Sequence, residues 1–176
     1  QIRTSDGFKV DAIGADTAFV LALSASSGGA LSDFGAMGVQ QFGGSMAEQC
    51  TGLALSGGVL YVTGSLTSSN AGVGWFGPYA SVGGADAFVL ALNAANGMGV
   101  AAFGSAGVQT FGGTSDDIAA AVSVGSGGVY IAGSFGSTDA GVGALGTVST
   151  AGSADAFVLA LAAGAEARST VEAPTS

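Results

Sequence analysis

The chain contains 176 residues, only 9% of them charged, and its twelve carboxylates and three cations give a formal net charge of −9. This acidic balance argues against nucleic acid or an anionic membrane surface as a partner. Positions 10 to 167 contain no Lys, Arg or His, which excludes Ser-His-Asp, Cys-His and phosphate-clamping sites from that stretch. Every apolar run is also shorter than the ~18 residues that a membrane-spanning helix needs. We therefore expect no cofactor, no enzymatic activity and no membrane span.

The chain is built from a repeat of constant period. The pentapeptide Phe-Val-Leu-Ala-Leu occurs three times at one fixed interval, at Phe19–Leu23, Phe88–Leu92 and Phe157–Leu161. Other segments align at the same offset without a gap. A long fixed period indicates one structural unit that is copied and stacked, so that each copy buries its apolar face on a neighbour.

The first two extended runs of each unit form a predicted hairpin. In the earlier copy they are Thr51–Ser56 and Val59–Leu66, and in the later copy Ile118–Val124 and Val129–Phe135. Extended runs joined by a pair of glycines are typical of a tight β-hairpin. A long connection rich in Gly, Ser and Ala follows the second run.

The third run, Ala87–Asn93, contains the pentapeptide, and the fourth lies within Val100–Phe111. Two parts of that stretch qualify as the fourth strand, Val100–Phe103 and Val108–Phe111. The pentapeptide is apolar at consecutive rather than alternate positions, which is typical of a strand with both faces buried. No segment shows a convincing helical stripe with caps.

Four short strands at a constant period, covered on both faces, describe the blades of a β-propeller. We predict an all-β fold of propeller-like blades, each a four-stranded antiparallel sheet within a 69-residue repeat, with an incomplete ring in one chain. Residues 1–161 form the predicted repeat region, with a partial repeat at 1–18, repeats starting near 19 and 88, and a final strand at 155–161. Residues 162–176 leave the repeat and are interpreted as a linker or an anchoring arm.

Three segments carry a family resemblance. They are Gly-Gly-Thr-Ser-Asp-Asp-Ile-Ala-Ala-Ala-Val at 112–122, Gly-Gly-Val-Tyr-Ile-Ala-Gly-Ser-Phe at 127–135 and Ala-Asp-Ala-Phe-Val-Leu-Ala-Leu at 154–161. In order and spacing the chain resembles the bacterial SBBP-type β-propeller repeat family over nearly its whole length up to Leu161. The resemblance implies a propeller fold and, typically, an exported or cell-surface protein, and it brings no catalytic residues. The family's usual lysine near the end of the Phe-Val strand and its usual tryptophan in the last strand are absent from this sequence, and the 69-residue period exceeds the family's norm.

The predicted chain holds a strand pair, one complete four-stranded blade and three further strands. Propellers close at about four to eight blades, so this number cannot close a ring alone. The terminal strands would then present unpaired backbone edges, which favour association. We predict a protein partner or self-association through these exposed terminal strands, unless the chain is part of a longer propeller.

Asp116 and Asp117 form an adjacent carboxylate pair. On an extended chain, neighbouring side chains point to opposite sides, which suits neither a shared proton nor a glycosidase pair. We interpret both as turn residues whose carboxylates accept backbone N–H groups at the entry to the hairpin. Calcium coordination by the two residues is the alternative. The equivalent positions of the preceding copy hold Ala47 and Glu48, so the pair is not repeated.

Three aromatic residues, Trp75, Phe76 and Tyr79, cluster in the long connection of one copy only. Aromatic anchors dominate protein interfaces, so this cluster is a candidate contact patch. The alternative, that these rings pack back on their own blade, is equally consistent with the sequence.

Other chemistry-bearing residues have structural interpretations. Asp86 and Asp155 precede the Phe-Val strand in two copies and are expected to fix the turn into it. Cys50 is the only cysteine, which excludes an intrachain disulfide and a thiolate metal site. We expect it to be a small buried side chain at the start of a strand, with an intermolecular disulfide or a reactive thiol as the alternative.

The sequence therefore favours a non-enzymatic structural and interaction module, a component or fragment of a larger extracellular or cell-surface assembly. The alternative is a glycan- or calcium-binding propeller module that uses the acidic turns and the Trp75 loop. Any enzymatic chemistry would have to be hydrolysis by carboxylates alone, which we do not expect.

Overall fold

The computed structural model describes residues 2–3, 9–74, 76–125, 127–141 and 146–162, and within these ranges the chain forms strands and turns without a helix. The strands in chain order are β1 (Ile2–Arg3), β2 (Lys9–Val10), β3 (Ala18–Leu21), β4 (Val39–Gly43), β5 (Glu48–Ser56), β6 (Val59–Leu66), β7 (Ala71–Val73), β8 (Phe76–Tyr79), β9 (Asp86–Asn93), β10 (Val108–Phe111), β11 (Asp117–Gly125), β12 (Gly128–Phe135), β13 (Ala140–Gly141), β14 (Thr147–Val148) and β15 (Asp155–Ala162).

The central sheet has four strands in the order β10-β9-β6-β5, and every neighbouring pair in it is antiparallel. The predicted all-β fold with a four-stranded antiparallel sheet is therefore confirmed. A second four-stranded sheet has the order β3-β4-β7-β8, and a third sheet has the order β11-β12-β15. Two small hairpins, β1-β2 and β13-β14, complete the described structure.

The predicted hairpin forms β5 and β6 in the earlier copy and β11 and β12 in the later one. Gly57 and Gly58 connect β5 to β6, with φ angles of 55° and 78°. A two-residue turn with positive φ at both positions matches the right-handed twist of the flanking strands, and glycine adopts it without steric cost. The later hairpin has the same register, since Asp117 pairs with Phe135 as Glu48 pairs with Leu66.

The fourth strand of the unit is Val108–Phe111, which pairs with β9. The other candidate, Val100–Phe103, forms turns instead, and the backbone N–H of Phe103 donates to the carbonyl of Val100 at 2.9 Å. This stretch is apolar for another reason. The Phe103 ring is buried edge-on against Tyr61, with ring centroids 5.8 Å apart.

The long connection between β6 and β9 contains a short hairpin, β7-β8, that the sequence did not predict. It adds to the neighbouring sheet, because β7 pairs with β4 through Phe42 opposite Val73. The side chains of Ala71 and Val73 are buried in the core between the two sheets. The glycine-containing segment Ala71–Val73 therefore forms a strand because it can pair with the free edge of β4.

Two apolar cores lie between the three main sheets. The first joins β3, β4 and β7 to the central sheet, where the rings of Phe42 and Phe88 lie 4.6 Å apart. The second joins the central sheet to β11, β12 and β15, where Phe111 and Phe157 meet edge-on at 5.4 Å. These two aromatic pairs are separated by one repeat period in sequence, so the same contact is made twice.

Burial of the pentapeptide depends on its position in the stack. In the middle copy every residue from Asp86 to Leu92 is buried, as predicted. In the first copy Phe19 and Leu21 are exposed, and in the third Val158 is exposed. The prediction that both faces are buried is therefore wrong for the two outer copies, because no described sheet covers their outer faces.

Candidate functional site

Asp117, at the start of β11, is a buried carboxylate with three hydrogen bonds. Its Oδ2 accepts from the backbone N–H of Gly113 at 2.9 Å and from the hydroxyl of Ser137 at 2.6 Å. Its Oδ1 accepts from the backbone N–H of Ser137 at 3.4 Å. A buried carboxylate needs such donors, because an unpaired charge in an apolar environment is costly. The side chain ties the loop after β10 to the loop after β12.

Glu48 makes the equivalent contacts at the start of β5. Its Oε2 accepts from the backbone N–H of Gly44 at 2.8 Å, and its Oε1 accepts from the backbone N–H of Ser68 at 3.1 Å. Gly44 and Ser68 precede Gly113 and Ser137 by one repeat period. The Asp-Asp pair is not repeated, but the buried carboxylate is. Sequence reasoning missed Glu48, although an acidic residue at the first position of an equivalent strand was the available signal.

Asp116 points away from Asp117 and is exposed. Its Oδ1 accepts from the backbone N–H of Ala85 at 2.9 Å, in the turn that leads into β9. Asp139, in the loop after β12, acts similarly on the loop after β10, where its Oδ1 accepts from both the backbone N–H and the hydroxyl of Thr114 at 2.9 Å. These two donors hold the pKa of Asp139 below its usual value. All three carboxylates therefore bind backbone N–H groups, in agreement with the turn interpretation.

The described residues contain no group of three or more His, Cys, Asp or Glu side chains placed to hold a metal ion. Asp116 and Asp117 direct their oxygens to donors in different turns. The pair therefore has a structural role that needs no cation, and the calcium alternative gains no geometric support.

Asp86 is the most unusual carboxylate of the described chain. Its Oδ2 accepts from the backbone N–H of Val82 at 3.0 Å, but its buried Oδ1 has no hydrogen-bond partner among the described residues. A β-carbon on Gly112 would overlap this oxygen, so glycine is needed there for the close approach. The pKa of Asp86 is raised to about 6, chiefly by burial, and the Val82 donor offsets part of the rise while the charges of Asp117 and Asp139 add to it.

We expect Asp86→Asn to stabilise the protein above pH 6. In the folded protein the pKa of Asp86 is about 6, against an ordinary value of 3.8. The contribution of Asp86 to the stability of the wild type therefore falls as the pH rises from 3.8 to about 6. The asparagine side chain does not titrate, so this loss of stability is absent, and its amide oxygen can still accept the backbone N–H of Val82. We expect a gain on the order of 1 kcal/mol at pH 7 that vanishes toward pH 4. Denaturant unfolding at a series of pH values measures it.

The control for this prediction is Asp155→Asn, the same change at the equivalent position. Asp155 also accepts a turn N–H, from Ala151 at 2.7 Å, but it is only half-buried. We expect a smaller gain there. If Asp86→Asn were no more stable than the wild type at any pH, Asp86 would not be destabilised by the burial of an oxygen that has no hydrogen-bond partner.

The predicted aromatic patch is only partly described. Trp75 lies outside the described residues, and Phe76 is half-buried in β8. Tyr79 packs against the first core, 6.3 Å from the Phe42 ring, and its hydroxyl donates to the carbonyl of Ser105 at 2.7 Å. Burial raises the pKa of this hydroxyl. Tyr79 therefore contacts its own chain, and a partner contact by Trp75, Phe76 and Tyr79 stays a prediction.

Cys50 is exposed in β5, which corrects the expectation of a buried side chain. It lies in β5, which is an edge strand of the central sheet. Nearby chain still desolvates the sulfur and raises the pKa of the thiol to about 11. The thiol is therefore protonated at neutral pH, which makes it a weak nucleophile.

An apolar face is exposed at each end of the sheet stack, although the equivalent residues in the central sheet are buried. We call Phe19, Leu21 and Leu23 the leading face. Phe19 is 45% exposed, whereas its equivalent Phe88 is fully buried.

At the other end, we call Tyr130 and Val158, with the alanines beside Val158, the trailing face. Val158 is 62% exposed and Tyr130 43%, whereas their equivalents Val89 and Tyr61 are 0% and 5% exposed. In the sequence, the only indication of these two exposed faces was the number of repeats, which is too small to close a ring.

Comparisons with protein-family profiles, with curated proteins and with solved structures find no match for this chain. In the described ranges, no helix has the length and apolar character required to cross a bilayer.

Proposed function

We propose that the chain is a non-enzymatic structural and interaction module, built of β-propeller-like blades and belonging to a larger extracellular or cell-surface assembly. The proposed blades are supported by the stacked antiparallel sheets and by contacts that recur with the period of the repeat. The cell-surface location rests on the resemblance to the SBBP-type repeat family.

The observation that carries the proposal is the difference in pairing between equivalent strands. The middle strand β9 pairs with β6 on one side and β10 on the other. Its equivalents β3 and β15 each pair on one side only within the described structure, with β4 and β12 respectively. An unpaired strand edge presents free N–H and C=O groups and readily adds another strand.

Turns held by buried carboxylates support the same conclusion. Glu48 and Asp117 each connect two loops at one end of a sheet, so they stiffen the unit rather than form an open site. A rigid scaffold with open ends is suited to binding other proteins through its ends.

Hydrogen exchange read together with sedimentation tests this proposal. We expect amides of β3 and β15 to exchange quickly in dilute protein and to become protected when concentration drives assembly, since a new strand or sheet covers them. Amides of β9 provide the internal control and should be protected throughout. A compact monomer at every concentration, with β3 and β15 as protected as β9, would contradict the proposal.

A further inference from the structure

The two internal cores are formed by the same pair of faces. In the first core Ala18 and Val20 pack against Phe88, Leu90 and Leu92. In the second, the equivalents of Ala18 and Val20 pack against Leu159 and Leu161, with the half-buried Phe157 beside them. An Ala/Val face of one copy therefore always meets a Phe/Leu face of the next copy.

The leading and trailing faces are the two halves of this same contact, each left without its partner. Phe19, Leu21 and Leu23 are the Phe/Leu face of the first copy. Val158 and its neighbouring alanines are the Ala/Val face of the third copy. The trailing face thus has the composition that the leading face would meet in a continued stack.

We infer that a second copy of this chain docks head to tail, with its leading face on the trailing face of the first. This inference rests on the proposed function and specifies the partner and the surface. The contact would continue the internal sheet stacking across two chains. It uses two different patches, so it is a heterologous interface, which can build rings or open arrays.

Charge is compatible with this contact once salt is present. The segments Ala18–Leu23 and Asp155–Ala162 contribute a single charged residue, Asp155, and it lies at the end of its strand. The chain as a whole carries −9, so two copies repel at long range. Salt screens that repulsion over about 10 Å at 0.1 M and leaves the apolar contact in place, so association should strengthen with salt.

Two variants that each block one face test the inference. Phe19→Asp places a carboxylate in the leading face, and Val158→Asp places one in the trailing face. Val82→Asp is the matched control, because Val82 is 61% exposed and lies outside both faces. Sedimentation should show that the wild type and Val82→Asp exceed the 16.5 kDa monomer mass with rising concentration. Each blocked variant alone should associate at least about tenfold more weakly, because the contact would bury an unpaired charge.

Mixing the two blocked variants gives the decisive result. The Val158→Asp chain keeps its leading face and the Phe19→Asp chain keeps its trailing face, so the mixture should form a one-to-one dimer and grow no further. Dimers of Val158→Asp alone would show a leading-to-leading contact and overturn the inference.

Two other outcomes separate this inference from the proposed function. If both blocked variants assemble as well as Val82→Asp, the chains associate through their strand edges, which overturns the inference and leaves the proposed function intact. A wild type that stays monomeric at every concentration overturns the inference and the self-association of the proposed function together.

Cross-linking provides a measurement that does not depend on the folding of the charged variants. Leu21→Cys and Val158→Cys are combined in a Cys50→Ser background. Their equivalents in the first core, Leu90 and Val20, belong to one packed cluster. Oxidation should yield a ladder of disulfide-linked oligomers, whereas either cysteine alone should yield none. Absence of the ladder at concentrations where the protein assembles would overturn head-to-tail docking.

Discussion

Replacing Phe88 by alanine is expected to lower the free energy of unfolding by about 3–5 kcal/mol. Phe88 is fully buried and packs against Phe42 at 4.6 Å between two sheets. Its removal takes apolar surface out of the core and leaves a cavity that the paired strands on either side cannot easily close. Domains of this size are stable by only about 5–15 kcal/mol, so this loss would be a large fraction of the total stability. Denaturant unfolding measures the loss.

The repeat provides the control for this substitution. Phe19→Ala makes the identical change at the equivalent position, where the ring is 45% exposed. We expect a smaller cost in dilute protein, roughly 1 kcal/mol, because about half of the residue is already exposed and its removal leaves no closed cavity. Equal costs at the two positions would show that the sheets do not stack face to face in solution.

Asp117→Ala is expected to cost roughly 2–4 kcal/mol. The substitution leaves the backbone N–H groups of Gly113 and Ser137 and the buried Ser137 hydroxyl without their acceptor. Unpaired buried donors lose their hydrogen bonds to water without regaining any in the folded state. Thermal and denaturant unfolding should both register the loss.

The neighbouring carboxylate is the matched control. Asp116→Ala removes an exposed side chain that accepts one N–H, from Ala85, and we expect a change within about 1 kcal/mol. If Asp116→Ala proved as costly as Asp117→Ala, the different roles assigned to the two residues would be wrong.

Local patterns were sufficient to predict the longer strands of the repeat. The glycine pair between Thr51–Ser56 and Val59–Leu66 determines a hairpin through backbone geometry alone. The consecutive apolar residues of Phe88–Leu92 predict burial on both faces, and the structure confirms it. The all-β antiparallel fold follows from these local signals.

Features that depend on distant neighbours were not predictable. Phe19 and Phe88 have the same local sequence but opposite exposure, because exposure depends on whether another sheet follows. The β7-β8 hairpin is formed by pairing with β4, which its own glycine-rich sequence does not specify. The shared role of Glu48 and Asp117 was hidden because one extra methylene changes the residue type, although both side chains accept from the equivalent backbone N–H groups.

Recurrence of one contact between successive sheets has a consequence for how such genes can change. A recombination event that inserts or deletes one whole period would rejoin surfaces that already fit, so the product would need no compensating substitutions. An event that breaks the period would instead misplace every downstream strand. Molecules of this design can therefore vary in length between lineages by whole periods while the fit between adjoining sheets is preserved.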